Sequence, residues 1–408
     1  MIPVEEALEI VRQETPLLPS EEVPLEEALG RVLAESVRSD GDMPPFDRAA
    51  MDGYAVRAVD VAEAPVALEV VGEVRAGQWP GVEVGPGQAV RIMTGAPVPQ
   101  GANAVQQVEK TRPLDEFRVT ILAPVEEGAH LAPRGCEVKK GDTVLACGRL
   151  VDGAAVAVLA ATGHARVRVG GRPRLALLVT GDEIVAVGKT PGPGQIRNSN
   201  GPALAALARL AGAEVRLLGV APDREEATEK AVRAGLDADV LVISGGVSAG
   251  DYDLVEPVLE AAGVSFFFTG VALKPGAPLV FGRRGDTLVF GLPGNPVSAQ
   301  VTFELFVRPA LLLMQGARVA GRPRVAVELL APLRNRSGRK AHAPARVRWE
   351  EGRFVARPVR SMGSGDLVAH ARANALVILA AARTEAAAGE TAEAVLLGNF
   401  LEDDGAPL

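Results

Sequence analysis

Acidic side chains gather where short apolar runs end in the second half of the chain. LALLV (175–179) leads into Thr180-Gly181-Asp182-Glu183, and VRLLGV (215–220) leads into Ala221-Pro222-Asp223. DVLVI (239–243) leads into Ser244-Gly245-Gly246-Val247-Ser248 and on to Asp251 and Asp253. Carboxylates converging on one edge suit Mg2+, which takes one or two of them together with water and phosphate oxygens. Any one of these acids is as readily a helix cap or a first-turn residue favoured by the helix dipole; the three sets together favour a shared site. The SGGVSAGD turn offers backbone N–H groups that can approach a phosphate or a polar ring closely. It is neither a Walker A loop, since no Gly-Lys-Ser/Thr follows, nor the dinucleotide GxGxxG. Lys274 in LKPGAP (273–278) is a cation on a constrained loop, suited to an anionic group or simply solvated. Asn295 in GLPGNPVSA (291–299) either caps the helix that follows or hydrogen-bonds a ligand.

A further candidate is the loop PPFDRAAMDGYAV (44–56), which packs two prolines, a glycine, two acids and two aromatics into thirteen residues. Rigid loops of this kind hold polar groups for function, which makes Asp47 and Asp52 candidates; the alternative is a joint whose acids satisfy turn backbone. From Arg322 to Arg360 the chain carries eleven Lys or Arg against Glu328, Glu350 and Glu351. In an acidic protein that asymmetry marks an anion site or a solvated strand face. His130, His164, His342 and His370 are scattered and are not expected to ligate a metal.

The elements that must position these residues can be read from periodicity. Val4, Ala7, Leu8 and Val11 stand at helical spacing after Pro3, and PLEEALGRVLAES (24–36) predicts a second helix. Short alternating runs among glycines and prolines then predict a β-rich segment. LVDGAAVAVLAAT (150–162) predicts a helix that packs back on the N-terminal helices, making the β-rich segment an insertion. From Arg174 strands and helices alternate, as in βαβ units around a largely parallel sheet, with Ser199 or Asn200 expected to cap the helix GPALAALARLAGA. Ligands of such sheets bind at the carboxyl ends of the strands. The expected fold is multidomain α/β plus β: an N-terminal helical part (1–41 and 149–171), an inserted β-rich domain (42–148), a mostly parallel α/β domain (172–318) and a small C-terminal β domain (319–408).

The formal net charge of -8 argues against a general nucleic-acid binder. Two cysteines, Cys136 and Cys147, make no disulfide framework or zinc site and point to a reducing compartment. The opening MIPVEEALEI does not read as a signal peptide, and no apolar run approaches the roughly 20 residues of a membrane helix. The expectation is a cytoplasmic protein that binds neither membrane nor nucleic acid.

These segments resemble, in order, the molybdopterin molybdotransferase family, which comprises the bacterial MoeA proteins and the E domain of gephyrin. The resemblance rests on PPFDRAAMDGYAV, RIMTGAPVPQGANAV, TGDE, VAPD, SGGVSAGDYD, LKPGAPL, GLPGNPVSA and GSGDLVAHARANAL, nearly end to end. It implies a pterin-binding α/β domain and elongated homodimers with the active site between protomers. The implied reaction inserts molybdate into adenylylated molybdopterin, releasing AMP and molybdenum cofactor, with Mg2+ assisting. By motif position, the catalytic residues would be Asp52, Glu183, Asp223, Asp253 and Lys274, and the Mg2+ ligands Glu183, Asp223 and Asp253. The pterin contacts would be Thr180, Gly181, Ser244, Gly245, Gly246, Ser248, Pro293 and Asn295. A pterin-adenylylating enzyme and molybdoenzyme apoproteins are implied partners. The basic C-terminal domain would supply cations across the dimer interface. The chain departs from the family pattern at Cys136-Glu137, at Asn198 and at Ala277, where the family commonly has Glu-Asp, Asp and a second loop lysine. The alternatives are a tungstate-inserting paralogue and a non-catalytic pterin-binding scaffold.

Overall fold

Apolar residues at positions 4, 7 and 11 line one face of helix α1 (Val4–Glu14), and that face is buried. The computed structural model describes residues 1–247 and 254–398. It divides into two units: Met1–Glu35, Cys147–Asp152 and Arg166 onward form the first, and Ser36–Ala146 with Gly153–Ala165 form the second. Ser248, Asp251 and Asp253 lie outside the described residues.

The second helix expected over 24–36 is absent. One 3-10 turn, Leu25–Glu27, forms, and Gly30 then takes φ +74°, which ends any helical continuation. Val32 and Leu33 are fully buried and instead bridge to Leu150 and Val169.

In the first unit the continuous apolar runs become β1 (Arg174–Thr180) and β3 (Val240–Ser244). Neither has a polar face, so both must be covered on two sides. With α2 (Asn200–Leu210), β2 (Glu214–Ala221), α3 (Glu225–Gly235), α4 (Val255–Ala261), β4 (Ser265–Phe268), β5 (Val280–Arg284) and β6 (Thr287–Leu292) they build a six-stranded sheet of order β2-β1-β3-β6-β5-β4. β2, β1, β3 and β6 are parallel, and β5 runs antiparallel to both its neighbours. Leu175, Leu177, Val240, Val242 and Phe290 pack into a core with α1, α2 and a long helix α5 (Pro296–Met314). Ala176, Leu178, Leu241 and Ile243 pack on the other face with α3 and α4.

Helix α5 continues through a π-helical segment, Phe303–Val307. By length and composition alone its 19 residues could cross a membrane, although Glu304 and Arg308 interrupt them. It is instead 78% buried inside the fold, as a core helix is.

The C-terminal strands β7 (Arg324–Leu329), β8 (Lys340–Glu350), β9 (Arg353–Pro358), β10 (Ala375–Leu379) and β11 (Thr391–Leu396), with helix α6 (Leu367–Ala371), form the small β part. Their order is β8-β9-β7-β11-β10, and β10 pairs back onto β8, so the strands close on themselves. A short strand, Leu273–Lys274, adds to β8 opposite Lys340 and Ala341, which ties the Lys274 loop to this part of the unit.

The second unit holds a six-stranded sheet. Its strands, in spatial order, are Ala104–Gln107, Gly53–Val56, Gln88–Ile92, Val66–Val74, Arg118–Ile121 and Thr111–Pro113. Helix Gly153–Ala161, with Ala155 and Leu159 buried, groups with this unit, whereas the sequence reading placed it with the N-terminal helix.

Leu177, at 1% exposure in the middle of β1, has packing on all sides. Leu177→Ala should lower stability by about 2–5 kcal/mol, the range for truncating a buried leucine. Urea denaturation followed by circular dichroism checks this, and a loss under about 0.5 kcal/mol, the scale of surface changes, would show that the strand is not central.

Candidate active site at the carboxyl edge of the parallel strands

The carboxyl ends of β1, β2, β3 and β6 open onto one cavity of about 460 Å3. Its wall includes Thr180, Glu183, Asp223, Ser244 and Asn295. Two glycines allow the turns to pack this tightly. A Cβ on Gly181, at φ +143°, would stand 2.5 Å from Glu183 Oε2, so the missing side chain is the space Glu183 occupies. A Cβ on Gly245, at φ +102°, would stand 2.8 Å from both the carbonyl oxygen and Oγ1 of Thr180. The Thr180 hydroxyl is buried and finds no hydrogen-bond partner among the described residues. A buried orphan hydroxyl on a cavity wall fits a polar ligand that completes it.

Asn200 pins the edge together. Its Nδ2 donates to Ser244 Oγ and to the Gly294 carbonyl oxygen, both at 2.8 Å, and so joins the start of α2 to the ends of β3 and β6. Ser199 stands at the N-cap of α2, as expected, but makes no side-chain capping bond; Asn198 Oδ1 accepts from Gly201 N at 2.8 Å instead. Asn295 precedes α5 but makes no side-chain capping bond, which leaves its amide for the cavity. Asp223 is held by reciprocal bonds at 3.2 Å, Asp182 N to Asp223 Oδ2 and Asp223 N to Asp182 Oδ1.

Glu183 and Asp223 thus share one cavity. A cation that takes one or two carboxylates and completes its shell with water and phosphate oxygens fits this donor set. Among the described residues no group of three His, Cys, Asp or Glu could hold a metal; Asp253, the expected third ligand, and Ser248, an expected pterin contact, fall outside them.

A second cavity of about 590 Å3 shares Pro278, Pro293 and Asn295 with the first. Lys274, Arg334, Arg339 and Ser298 line it, as does Ala277. Arg334 and Arg339 of the C-terminal part therefore share a cavity with Lys274 within one chain. His342 also borders this cavity but adds no charge: burial, reinforced by Lys340 and Arg324, pushes its pKa down to about 3. The basic stretch is not one surface. Arg324 pairs with Glu393, Arg348 with Glu350, Arg353 with Glu328 and Lys340 with Glu5.

Asp52 belongs to the second unit. Its Oδ1 accepts from the N–H and the hydroxyl of Thr94, both at 2.7 Å. These bonds, the backbone one first, hold its pKa below the ordinary 3.8. Asp47 behaves as a turn residue, accepting from Arg134 N at 2.7 Å. Glu137, at a departure from the family pattern, pairs with Arg48 at 2.7 Å. Arg197, Asn198 and Asn200 all line the first cavity; the sequence reading had Asn200 only as a helix cap and Asn198 only as a departure from the family pattern, and did not name Arg197.

Comparison with known proteins follows the same division. Models of the MoeA N-terminal region (domain I and II), a probable molybdopterin binding domain and the MoeA C-terminal region (domain IV) match residues 2–163, 176–312 and 326–397. A Bacillus subtilis protein named molybdopterin molybdenumtransferase is 35% identical, covering 97% of this chain and 94% of its own length. A Nostoc protein of the same name is 38% identical over 91% of this chain and 87% of its own. The crystal structure of a molybdopterin biosynthesis moeA protein from Pyrococcus horikoshii OT3 superimposes with a TM-score of 0.83 at 33% identity, covering 97% of this chain and all of that one.

The Thr94 bonds make a prediction for Asp52. A carboxyl whose folded pKa is depressed stabilises the fold above its ordinary pKa, and that contribution is lost as pH falls through the lowered value. Thr94→Val removes one of the two donors, so the Asp52 midpoint should rise toward 3.8. Carboxyl-carbon NMR titration reads this directly, and an unmoved midpoint would show that the hydroxyl does not hold Asp52.

Proposed function

Since the chain belongs to the molybdopterin molybdotransferase (MoeA) family, we propose that it inserts molybdate into adenylylated molybdopterin, releasing AMP and molybdenum cofactor. The observation that carries this reading is the pair of adjoining cavities, one with Glu183, Asp223 and backbone turns, the other with Lys274, Arg334 and Arg339. A pyrophosphate-linked pterin needs its reacting phosphates positioned and their charge neutralised, and a molybdate dianion needs cations beside it. In this reading Thr180 and the Gly245-Gly246 turn orient the pterin and its phosphates. Glu183 and Asp223 would hold Mg2+, which when bound would offset charge on the phosphoanhydride. Lys274, Arg334 and Arg339 receive the oxyanion. Ala277 adds no charge where the family pattern has a lysine, so the two arginines carry more of that task.

Asp52 is ionised at neutral pH, and we assign it to the site of a partner protomer in a homodimer. A cytoplasmic setting, with substrate supplied by a pterin-adenylylating enzyme and product passed to molybdoenzyme apoproteins, goes with this activity.

The direct test is molybdate-dependent AMP release from adenylylated molybdopterin by the purified chain. Glu183→Gln should leave the fold intact and slow turnover in Mg2+ at least about tenfold, a loss of about 1.4 kcal/mol of transition-state stabilisation. Arg339→Gln should instead raise the KM for molybdate. No AMP from the wild-type chain, or variants that turn over normally, would sink the assignment.

The dimer reading has its own test. Asp52→Asn and Glu183→Gln chains, each impaired alone, should regain part of the activity when mixed, because some hybrid dimers carry one intact site. Absence of rescue after verified subunit exchange would place Asp52 and Glu183 in a site built by one chain.

A further inference from the structure

Among the described residues, the cavity at the strand ends and the one beside it have Pro278, Pro293 and Asn295 in common. Of these, only Asn295 carries a side chain that can donate or accept a hydrogen bond. It stands between a space bordered by Glu183 and Asp223 and a space bordered by Lys274, Arg334 and Arg339.

The fold fixes the backbone of Asn295 and leaves its amide unused. Asn200 Nδ2 donates to Gly294 O at 2.8 Å, Ala299 N donates to Asn295 O at 2.9 Å, and Val297 N donates to Ser364 O at 3.0 Å. The last of these bonds explains the unused amide. An asparagine at a helix N-cap ordinarily accepts from the N–H two or three residues on. Here Pro296 has no N–H to offer, and the Val297 N–H is already taken by a carbonyl of the C-terminal part. Asn295 accordingly makes no side-chain capping bond, and its amide makes no hydrogen bond among the described residues. An amide nitrogen has two N–H donors and no charge, so it can serve two anions at once.

The family resemblance implied a pterin contact for Asn295; its place on both walls gives it a second ligand. We propose that Asn295 couples the two cavities, with one N–H donated to a phosphate oxygen of the substrate in the first and the other to the oxyanion in the second. Each ligand, once bound, orients the amide for the other. This inference rests on the proposed reaction, whose two reactants are an adenylylated pterin and an oxyanion, and adds that they bind as a linked pair. Brought side by side the two anions repel, and a donor common to both acts against that repulsion. The coupling is reciprocal, since each ligand must change the other's affinity by the same factor.

The test is isothermal titration calorimetry on the full-length chain in Mg2+. Molybdate is one probe, and AMP, which carries a phosphate of the substrate, is the other. The quantity read is the ratio of the molybdate Kd without AMP to that with saturating AMP. Asn295→Ser is the informative variant, because serine caps a helix as well as asparagine does but offers a single donor. Its Tm should match the wild type. Each ligand alone should bind it within about threefold of the wild type, while the ratio should fall at least about fivefold, the scale of one hydrogen bond. Asn295→Asp also caps the helix but sets a carboxylate between two anions, so its ratio should lie below that of the serine variant. A ratio in Asn295→Ser equal to that of the wild type would overturn the proposal and leave the proposed function standing. An unchanged ratio with a lowered Tm would make Asn295 a helix cap only. Mutual exclusion of AMP and molybdate in the wild type would also overturn it, by showing that they compete for one space. A wild type that binds neither probe would overturn this inference together with the proposed function.

Discussion

The parallel run of β2, β1, β3 and β6 is the constraint on which the candidate site depends. β1, β3 and β6 are buried over nearly their whole length, so they sit inside the sheet with helices on both faces. Sharing a direction, all four strands deliver their carboxyl ends to one edge, and the chain must turn there four times in a small space. Such turns expose backbone donors and leave little room for side chains. Gly181 and Gly245 answer the steric part of that constraint, and Asn200 answers the polar part by bonding Ser244 and the Gly294 carbonyl at once.

Around that edge the protein sorts its charge. The cavity at the strand ends is bordered by Glu183 and Asp223, and the one beside it by Lys274, Arg334 and Arg339. Asn295, Pro293 and Pro278 belong to both walls. A substrate with a phosphate chain and an oxyanion acceptor meet most easily where a carboxylate-rich and a cation-rich space adjoin. The short Leu273–Lys274 strand, added to β8, is what brings the α/β part and the C-terminal strands to one cavity.

The cations of the C-terminal part are divided by packing. Exposed pairs such as Arg324–Glu393 and Arg353–Glu328 contribute only about 0–1 kcal/mol each, and they keep those arginines occupied on the surface. Glu304 differs, because it is buried beside Arg322 and Arg308. A buried carboxylate needs its partner to remain charged, so Arg322 serves packing first. Arg334 and Arg339 line the cavity of Lys274, where Arg334 also pairs with Glu385.

How much of this was legible in the sequence depends on the range of the interaction involved. Apolar runs, their ends at Thr180, Ser244 and Leu292, and the glycines that follow are local features, and they located the α/β fold and most of the cavity wall. The motifs likewise picked out Glu183 and Asp223, which line the first cavity, and Lys274, which lines the second. Residues 24–36 misled because their helical periodicity was outweighed by distant pairing, Val32 with Leu150 and Leu33 with Val169. Asn200 was read only as a helix cap, because the partners that give it its role at the strand ends lie 44 and 94 residues away. The count of eleven cations from 322 to 360 was correct, yet which of them pair with Glu393, Glu385, Glu304 or Glu5 is decided by strand order and helix placement. By itself the sequence determined which residues stand at the ends of buried strands, because burial and period act over a few neighbours. Only the tertiary structure decided which charges are neutralised and which line a cavity, because that balance is struck between groups far apart along the chain.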